Sequence, residues 1–424
     1  MKTTASILAA TLVAAPAAAL AEELPSREEM WRIIQEQQKK IELLEESQRE
    51  TARKATEADE KAEAAVEAVE EGTAGASSKL SWAEKTRVGG YGELHYNNWN
   101  GKGGASDKDE ADFHRFVLYF GHEFNDRIRF FSELEVEHAT TTRDGSVSME
   151  QAFLEFDLNE RHSFVGGLVL VPVGMINEIH EPPTFYGTER NPIETYILPT
   201  TWREPAGGLR GQLASQALPG LSYDLLLHTG FEMPLTEDKA FLVRSGRTKG
   251  GNAPTDNGAF TGRLKWTGIP GVELAGSFQY QTDVTQGAQG ISATLFTVHT
   301  DIERGPFGLR ALYGRWDLEN GAPGMGPASG PSPGRDEQYG FYIEPSYRMP
   351  VSFVPGEIGA FYRFNQWDNN AGDSSSATRR RQHQFGVNYW PHPDVVLKAD
   401  VQLEDNASGA DQNGFNLAIG YQFF

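Results

Sequence analysis

The sequence predicts an all-β protein, a 16-stranded antiparallel transmembrane β-barrel preceded by an N-terminal periplasmic α-helical coiled coil. Three observations support this fold class. From Arg87 onward, apolar and polar residues alternate with a period of two in sixteen segments, each long enough to cross a bilayer on a tilt. The links between these segments are alternately long and short. The chain contains no cysteine, so disulfides contribute nothing to its stability.

Residues 1–21 have the features of a cleaved signal peptide. Lys2 supplies the positive start, residues 5–20 are mainly Ala, Leu, Val and Ile, and Ala19-Leu20-Ala21 satisfies the small-x-small cleavage rule. An uncleaved anchor is the alternative, but the apolar stretch is short and Ala-rich for a membrane span. We therefore expect the mature chain to lie outside the cytoplasm.

Residues 22–71 are predicted to form one coiled-coil helix. Apolar or small residues recur at alternating spacings of three and four between Met30 and Val69, with Glu and Lys at most positions between them. A single, partly frayed helix is the alternative, because the later part of the seam is mostly Ala. Residues 72–86, rich in Gly and Ser, are predicted to be a linker, and residues 87–424 the barrel.

Composition and charge exclude two other classes of protein. After the signal peptide, no stretch approaches the roughly 18 continuous apolar residues that a membrane helix needs, so a helical membrane protein is excluded. The net charge of -21 opposes nucleic-acid binding, because phosphate contacts need Lys and Arg.

The sixteen predicted strands begin with residues 87–98. In 394–404, for example, Val395, Leu397 and Val401 share one face, and polar residues share the other. The full set is 87–98, 113–124, 127–138, 147–158, 163–174, 206–216, 221–230, 258–267, 271–282, 292–303, 306–318, 336–348, 356–367, 381–390, 394–404 and 413–424.

The links and the last strand favour a membrane barrel over a soluble sandwich. Short periplasmic turns alternating with long external loops are typical of bacterial outer-membrane barrels. With an even number of strands, both barrel ends and the N-terminal helix lie in the periplasm. The last strand alternates up to Phe424, which resembles the terminal signal read by the barrel assembly machinery, a predicted partner. Loops 231–257 and 319–335 are Gly- and Pro-rich and are expected to be exposed turns.

A barrel of sixteen strands is wide enough for a water-filled lumen. The polar faces of the strands should line it, because a one-residue slip would place their charges in lipid. The predicted pore-lining residues are Arg115, Arg127, Arg129, Arg210, Arg263, Lys265, Arg310, Arg348, Arg363, Glu133 and Glu135.

The longest predicted link, residues 175–205, is unusually apolar for an external loop. We expect it to fold into the barrel and constrict the pore, since an exposed loop of this composition would be a liability. Packing over the rim or at a subunit interface is the alternative. The predicted constriction residues are Glu178, His180, Glu181, Glu189, Arg190, Glu194 and Arg203.

Three segments carry a resemblance to outer-membrane porins of the phosphate-selective porin O and P type. They are residues 91–95, residues 124–135, and residues 172–187 with the run Glu181-Pro182-Pro183-Thr184-Phe185-Tyr186-Gly187. The resemblance covers about residues 87–424 and implies a sixteen-stranded barrel, commonly trimeric, whose third loop is the constriction. Phosphate selectivity and anion-binding residues are not carried over, because the barrel region is acidic overall.

The function expected from these observations is passive diffusion of small hydrophilic solutes or ions through an outer-membrane porin embedded in outer-membrane lipid. The alternative is an envelope tether, in which the coiled coil binds peptidoglycan or another partner and the barrel is mainly an anchor. An enzyme is not expected, because a Gly-x-Ser-x-Gly nucleophile elbow and metal-ligand spacings are missing from the sequence. No cofactor or metal is expected.

Overall fold

The computed structural model describes residues 82–140, 145–235, 239–319, 334–352, 354–373 and 377–424, and eight single positions between 39 and 61. These single positions are helical, and Lys54 forms an ion pair with Glu50 at 2.8 Å. The predicted signal peptide, most of the predicted coiled coil and residues 72–81 of the linker lie outside the described residues. None of the helices among the described residues is both long and apolar enough to cross a membrane.

Sixteen strands form one closed antiparallel barrel, which confirms the predicted fold class of the barrel region. Consecutive strands are neighbours throughout, and β1 closes the barrel against β16 in a register that runs from Gly90 opposite Phe423 to Gly101 opposite Gln412. The strands are β1 Thr86–Gly101, β2 Lys108–Asn125, β3 Ile128–Glu137, β4 Ser146–Asn159, β5 His162–Leu170, β6 Arg203–Gln212, β7 Leu221–His228, β8 Ala259–Ile269, β9 Val272–Gln281, β10 Ala293–Arg304, β11 Phe307–Leu318, β12 Glu337–Pro350, β13 Glu357–Asp368, β14 Arg380–His392, β15 Val395–Glu404 and β16 Gln412–Phe423.

The two ends of the barrel differ in the length of their links. One end, the short-turn end, carries turns as short as two residues, such as 126–127 and 305–306. The other, the long-loop end, carries the links 171–202 and 229–258. Three short helices lie in these two loops: 3₁₀ helices at Pro182–Thr184 and Val243–Gly246 and a π-helix at Ile193–Ile197.

The link between β5 and β6 begins earlier and ends earlier than the sequence predicted. β5 ends at Leu170 rather than at residue 174, and β6 begins at Arg203 rather than at residue 206. Pro172 lacks the N–H that a further rung of the ladder would need. The Val171 N–H still donates to the Trp202 carbonyl at 2.9 Å, so the two strands part immediately after this pair.

The barrel is apolar outside and polar inside. On β16, Phe415, Leu417 and Ile419 are exposed on the outer face, whereas Asn416 is fully buried on the inner face. The other strands repeat this pattern, with large apolar side chains outside and Glu, Arg, Asn and Gln side chains inside. An apolar belt around the whole wall is stable in lipid and unstable in water, so the wall spans a bilayer.

A bulge between β3 and β4 places an extra carboxylate in the lumen. Glu133 pairs with Gln151, but the next residue, Leu134, pairs with Met149, so Glu150 has no partner residue on β3. Both Glu150 and Gln151 then point inward, and Glu150 is fully buried. A bulge commonly re-aims a side chain in this way.

The apolar core lies inside the barrel at the long-loop end. Link 229–258 belongs to it, since Phe231, Met233, Phe241 and Val243 are buried there. The expectation that residues 231–257 are exposed turns is therefore wrong for this part of the loop. The expectation followed the Gly- and Pro-rich composition of the link and gave no weight to the few apolar side chains that anchor this part of the loop. The remaining members come mainly from link 171–202 and from inward positions of β10 to β13.

Candidate functional site

Link 171–202, called the inner loop below, lies within the barrel. Its entry turn depends on Gly174, whose φ of +69° favours glycine. A Cβ added at this residue would lie only 2.5 Å from a carboxylate oxygen of Glu194. That carboxylate accepts hydrogen bonds from the N–H groups of Met175 and Ile176 at 2.5 and 2.7 Å. Tyr342 on β12 also donates to Glu194, at 3.0 Å. Glu194 therefore holds the two halves of the loop together.

The apolar half of the inner loop fills one side of the lumen. Trp202 stacks on Phe231 with ring centroids 4.4 Å apart, and Ile193 and Ile197 are fully buried. Trp316 on β11 donates its indole N–H to the Ile197 carbonyl at 2.9 Å. Because these contacts attach the loop to β10–β13, the remaining open space lies on the opposite side of the lumen.

The middle of the inner loop is held by wall side chains that donate to five successive carbonyls. Each of the carbonyls of residues 183 to 187 accepts one hydrogen bond from β11, β13, β14 or β15. Unpaired carbonyls inside the barrel would be costly, and these donors satisfy them. The pairs are Trp390 to Pro183 at 3.0 Å, Arg310 to Thr184 at 3.0 Å, Asn388 to Phe185 at 3.1 Å, Arg363 to Tyr186 at 2.6 Å and Lys398 to Gly187 at 2.8 Å.

The acidic positions of the inner loop pair with wall groups. Glu178 pairs with Arg263 on β8, and Tyr119 on β2 donates to Glu181 at 3.0 Å. His95 and Asn97 on β1 contact Glu189 at 3.2 and 3.0 Å. His180 lies between two wall carboxylates, as described below. The loop therefore crosses from one wall of the barrel to the other.

These pairings shift the pKa values of the loop groups. Burial alone would raise the pKa of Glu189, but hydrogen bonding and charge attraction from His95 lower it below its usual range. Burial would likewise raise the pKa of Glu178, and Arg263 lowers it. For His180, burial acts to lower the pKa, but Glu133 and Glu150 raise it to about 10. The loop carboxylates are therefore charged partners of the wall.

A cavity of about 460 Å³ lies at the long-loop end, between the inner loop and the opposite wall. Five basic residues that line it have no carboxylate within ion-pair distance among the described residues, and we call them the vestibule bases. Among the lining carboxylates, Glu93 and Glu135 pair with Arg115, and Glu189 pairs with His95. Two lining carboxylates therefore have no basic partner in the described chain, Glu137 and Glu404. The vestibule bases are Arg190, Arg244, Arg247, Lys249 and Arg380.

A second cavity, of about 470 Å³, lies at the short-turn end and has a different charge arrangement. Arg129 pairs with Asp157 at 2.6 Å, and Arg263 pairs with Asp224 at 2.7 Å. Lys265 lies 3.8 Å from Glu273. Three of its five cations are therefore neutralised locally. Arg161 and Arg210 have no carboxylate within ion-pair distance among the described residues, and the Arg210 guanidinium lies 5.6 Å from the centre of the Phe153 ring.

The predicted constriction residues occupy several environments. Glu189, Arg190 and Arg203 line the cavity at the long-loop end. Glu178, His180, Glu181 and Glu194 do not line that cavity; they contact the wall or the loop itself. Arg203 is the first residue of β6 and pairs with Glu150 at 3.3 Å.

Most predicted pore-lining residues point inward, and Arg127 does not. Arg127 lies in the turn between β2 and β3 with an exposed side chain, so it does not line the wall. Arg310 pairs with Asp301 at 2.9 Å, and Arg348 pairs with Glu357 at 2.7 Å. Arg363 pairs with Glu344, and both are almost fully buried. The inward set on the strands is Arg115, Arg129, Arg210, Arg263, Lys265, Arg310, Arg348, Arg363, Glu133 and Glu135.

Sequence reasoning missed Glu150 and the bases of link 229–258. Glu150 lies where the alternation changes phase, because Met149 is apolar at an odd position and Ala152 and Leu154 are apolar at even ones. The adjacent polar residues Glu150 and Gln151 mark the observed bulge, a signal that a reading with one fixed phase overlooks. Arg244, Arg247 and Lys249 are spaced like solvent-exposed bases. The one available signal was their nearness in sequence to Phe241 and Val243, whose burial draws them toward the lumen.

Comparison with known proteins gives a relative and a fold. The chain is 30% identical over 386 residues to an uncharacterized protein of Aquifex aeolicus (strain VF5), covering 83% of each chain. The chain belongs to the same family as that protein. No protein-family model matches the sequence.

Solved structures of outer-membrane porins share the barrel. The chain resembles OmpF of Salmonella typhi, with a TM-score of 0.54 at 14% identity, covering 80% of this chain and 97% of that one. It also resembles the outer-membrane channel DcaP of Acinetobacter baumannii (TM-score 0.51, 15% identity, 80% and 97% covered). An anion-selective porin from Comamonas acidovorans matches similarly (TM-score 0.51, 12% identity, 80% and 99% covered). At these identities the likeness shows the fold, a closed sixteen-stranded barrel like those of outer-membrane porins.

Proposed function

We propose that the protein is an outer-membrane porin for passive diffusion of small hydrophilic solutes, narrowed by loop 175–205. The observation that carries the proposal is the attachment of the inner loop to opposite walls of the lumen. Its apolar half is packed against β10–β13, and Glu189 reaches His95 and Asn97 on β1. A segment fixed at both sides of a water-filled barrel reduces the cross-section that solutes can use.

The charges that face the open space favour anionic solutes at the long-loop end. Five vestibule bases face two carboxylates that lack a basic partner among the described residues. Burial, and then repulsion from Arg244 and Arg203, lower the pKa of Arg247 below its usual range, as expected where like charges are held together. An anion entering this cavity would relieve that repulsion, whereas a cation would add to it.

Single-channel conductance in planar bilayers tests the constriction. Deleting residues 184–198 should raise the conductance severalfold, because the carbonyl-anchored and apolar segments are then lost. Deletion of residues 320–333, which the sequence predicts to belong to an exposed turn, serves as the control and should leave the conductance near that of the wild type. Heat-modifiable gel migration shows whether each variant has folded. An unchanged conductance in the folded 184–198 deletion would contradict the constriction.

The remaining assignments rest on the sequence and on the shared barrel. We propose a homotrimer of the phosphate-selective porin O and P type, inserted by the barrel assembly machinery through Phe424, with residues 22–71 as a periplasmic coiled coil.

The tether remains a second role for residues 22–71, with peptidoglycan as their partner. Removing residues 22–78 tests it: the barrel should still conduct as a trimer, and loss of sedimentation with peptidoglycan would support the tether. No catalytic role or cofactor is assigned.

A further inference from the structure

Three buried side chains from three parts of the chain meet beside the inner loop. They are Glu133 on β3, Glu150 at the bulge of β4, and His180 in the loop, with side-chain exposures of 1%, 0% and 2%. Their nearest oxygen and nitrogen atoms all lie within 4.8 Å of one another. Two adjacent buried carboxylates repel each other unless a cation lies between them.

One oxygen of each carboxylate, Glu133 Oε2 and Glu150 Oε1, already has a partner. Gln151 donates to Glu133 Oε2 at 2.8 Å, and Arg203 Nη1 lies 3.3 Å from Glu150 Oε1. The other oxygens, Glu133 Oε1 and Glu150 Oε2, face His180 Nε2. Within the described residues, neither of these oxygens and neither ring nitrogen of His180 makes a hydrogen bond. Buried polar atoms are rarely left without a partner, so the unpaired atoms indicate a missing ligand.

The distances fit a shared metal ion, which would displace the proton that the two carboxylates otherwise hold on His180. His180 Nε2 lies 3.3 Å from Glu133 Oε1 and 3.5 Å from Glu150 Oε2. Charge-assisted N–H···O⁻ hydrogen bonds are shorter, about 2.7–2.9 Å. Ligand atoms about 2.0–2.1 Å from a common tetrahedral metal ion are separated from one another by roughly 3.3–3.5 Å.

We propose that Glu133, Glu150 and His180 bind a divalent transition-metal ion of the Zn²⁺ type. One imidazole and two carboxylates are a donor set that such ions accept. Gln151 and Arg203 orient the carboxylates in the way that outer-shell groups orient metal ligands. Tyr91 encloses the site, with its ring edge-on to His180 at 5.9 Å between centroids. The ion would tie the inner loop to β3 and β4, whether or not the barrel is a porin.

Spacing along the sequence could not indicate this site. The three residues are separated by 17 and 30 positions, which matches no metal-binding motif. The register of β3 with β4, the bulge and the inward course of the loop bring them together. The sequence-based expectation of no metal therefore rested on local spacing alone.

Metal titration of the detergent-purified full chain tests the proposal. After chelator treatment and its removal, the wild type should bind one equivalent of Co²⁺ with visible absorption of a low-coordinate site, and Zn²⁺ should displace it. His180→Gln and Glu150→Gln should weaken binding by about 100-fold, and Gln151→Leu by about tenfold. His299→Gln is the matched control and should bind like the wild type, since buried His299 lies 3.2 Å from Glu273 and has no second carboxylate within ion-pair distance in the described part of the chain.

Two results would overturn the metal site. One is a wild-type chain that gives no saturable Co²⁺ spectrum. The other is a spectrum that persists in folded His180→Gln or Glu150→Gln. In either case a protonated His180 would be the cation between the carboxylates. If one of the two variants does not fold, the wild-type spectrum and the other variant still test whether the metal site exists. Channel conductance plays no part in this test, so it stands apart from the proposed function.

Discussion

The lumen holds two populations of basic side chains that differ in their partners. On the wall and toward the short-turn end, Arg129, Arg263, Arg310 and Arg363 each pair with a carboxylate. At the long-loop end, the vestibule bases have none within ion-pair distance in the described chain. Paired cations stabilise the wall and hold the inner loop, whereas the vestibule bases leave a positive potential at the long-loop end. Under the proposed porin function, the position and pairing of charges, rather than their count, would decide selectivity.

The largest expected effect comes from breaking a buried pair of the wall. Arg363→Met should lower the free energy of unfolding by about 3–5 kcal/mol, since Glu344 then remains buried without a cation. The Tyr186 carbonyl and Gln384 would also lose a donor. Urea titration of the barrel in lipid vesicles measures the change. Arg244→Met is the matched control from the vestibule bases and should change stability by less than about 0.5 kcal/mol. Equal effects of the two variants would remove the distinction between the populations.

A smaller effect, on permeation alone, is expected from the vestibule bases. Combined Arg190→Gln, Arg244→Gln and Arg247→Gln substitutions should lower the anion-to-cation permeability ratio severalfold while the barrel stays folded. Reversal potentials in planar bilayers measure the ratio. Two substitutions at one ion pair of the short-turn end, Arg129→Gln with Asp157→Asn, should change the ratio little, because cation and carboxylate are removed together. A larger change of the permeability ratio in the paired control than in the vestibule variant would contradict the proposed role of the vestibule bases.

The smallest expected effect is a pH dependence from Lys249. Burial, and then repulsion from Arg247 and Arg203, lower the pKa of Lys249 below its usual range. An ammonium group is charged below its pKa and neutral above it, whereas the guanidinium groups beside it stay charged, so anion preference should fall as the pH rises from 7 toward 10. Reversal potentials measured across this range should show the step in the wild type. Lys249→Gln should lack it, and a step of the same size in that variant would assign the titration to another group.

Much of the barrel could be predicted from the sequence, because its signals are local. Alternation with a period of two, turn residues and link lengths specified all sixteen strands, and the observed ends differ from the predicted ones by a few residues. The largest differences are at β2, β5 and β6. At β5 and β6, the proline at 172 and the departure of the inner loop determine where pairing stops.

The candidate site was less predictable, because its contacts are long-range. Composition alone indicated that residues 175–205 pack against something. It could not indicate that the carbonyls of residues 183–187 meet donors such as Trp390 and Lys398, more than 200 positions later. Nor could it reveal that Glu194 binds backbone N–H groups rather than facing the cavity. The acidic net charge was equally uninformative about the vestibule, since carboxylates such as Glu93 and Glu135 are paired with Arg115.

The most direct test of the central claim is the reversal potential of the purified wild-type barrel in a planar bilayer under a potassium chloride gradient. The proposed function predicts discrete channels whose reversal potential has the sign of chloride preference. A reversal potential with the sign of potassium preference, or a folded barrel that does not conduct, would contradict it.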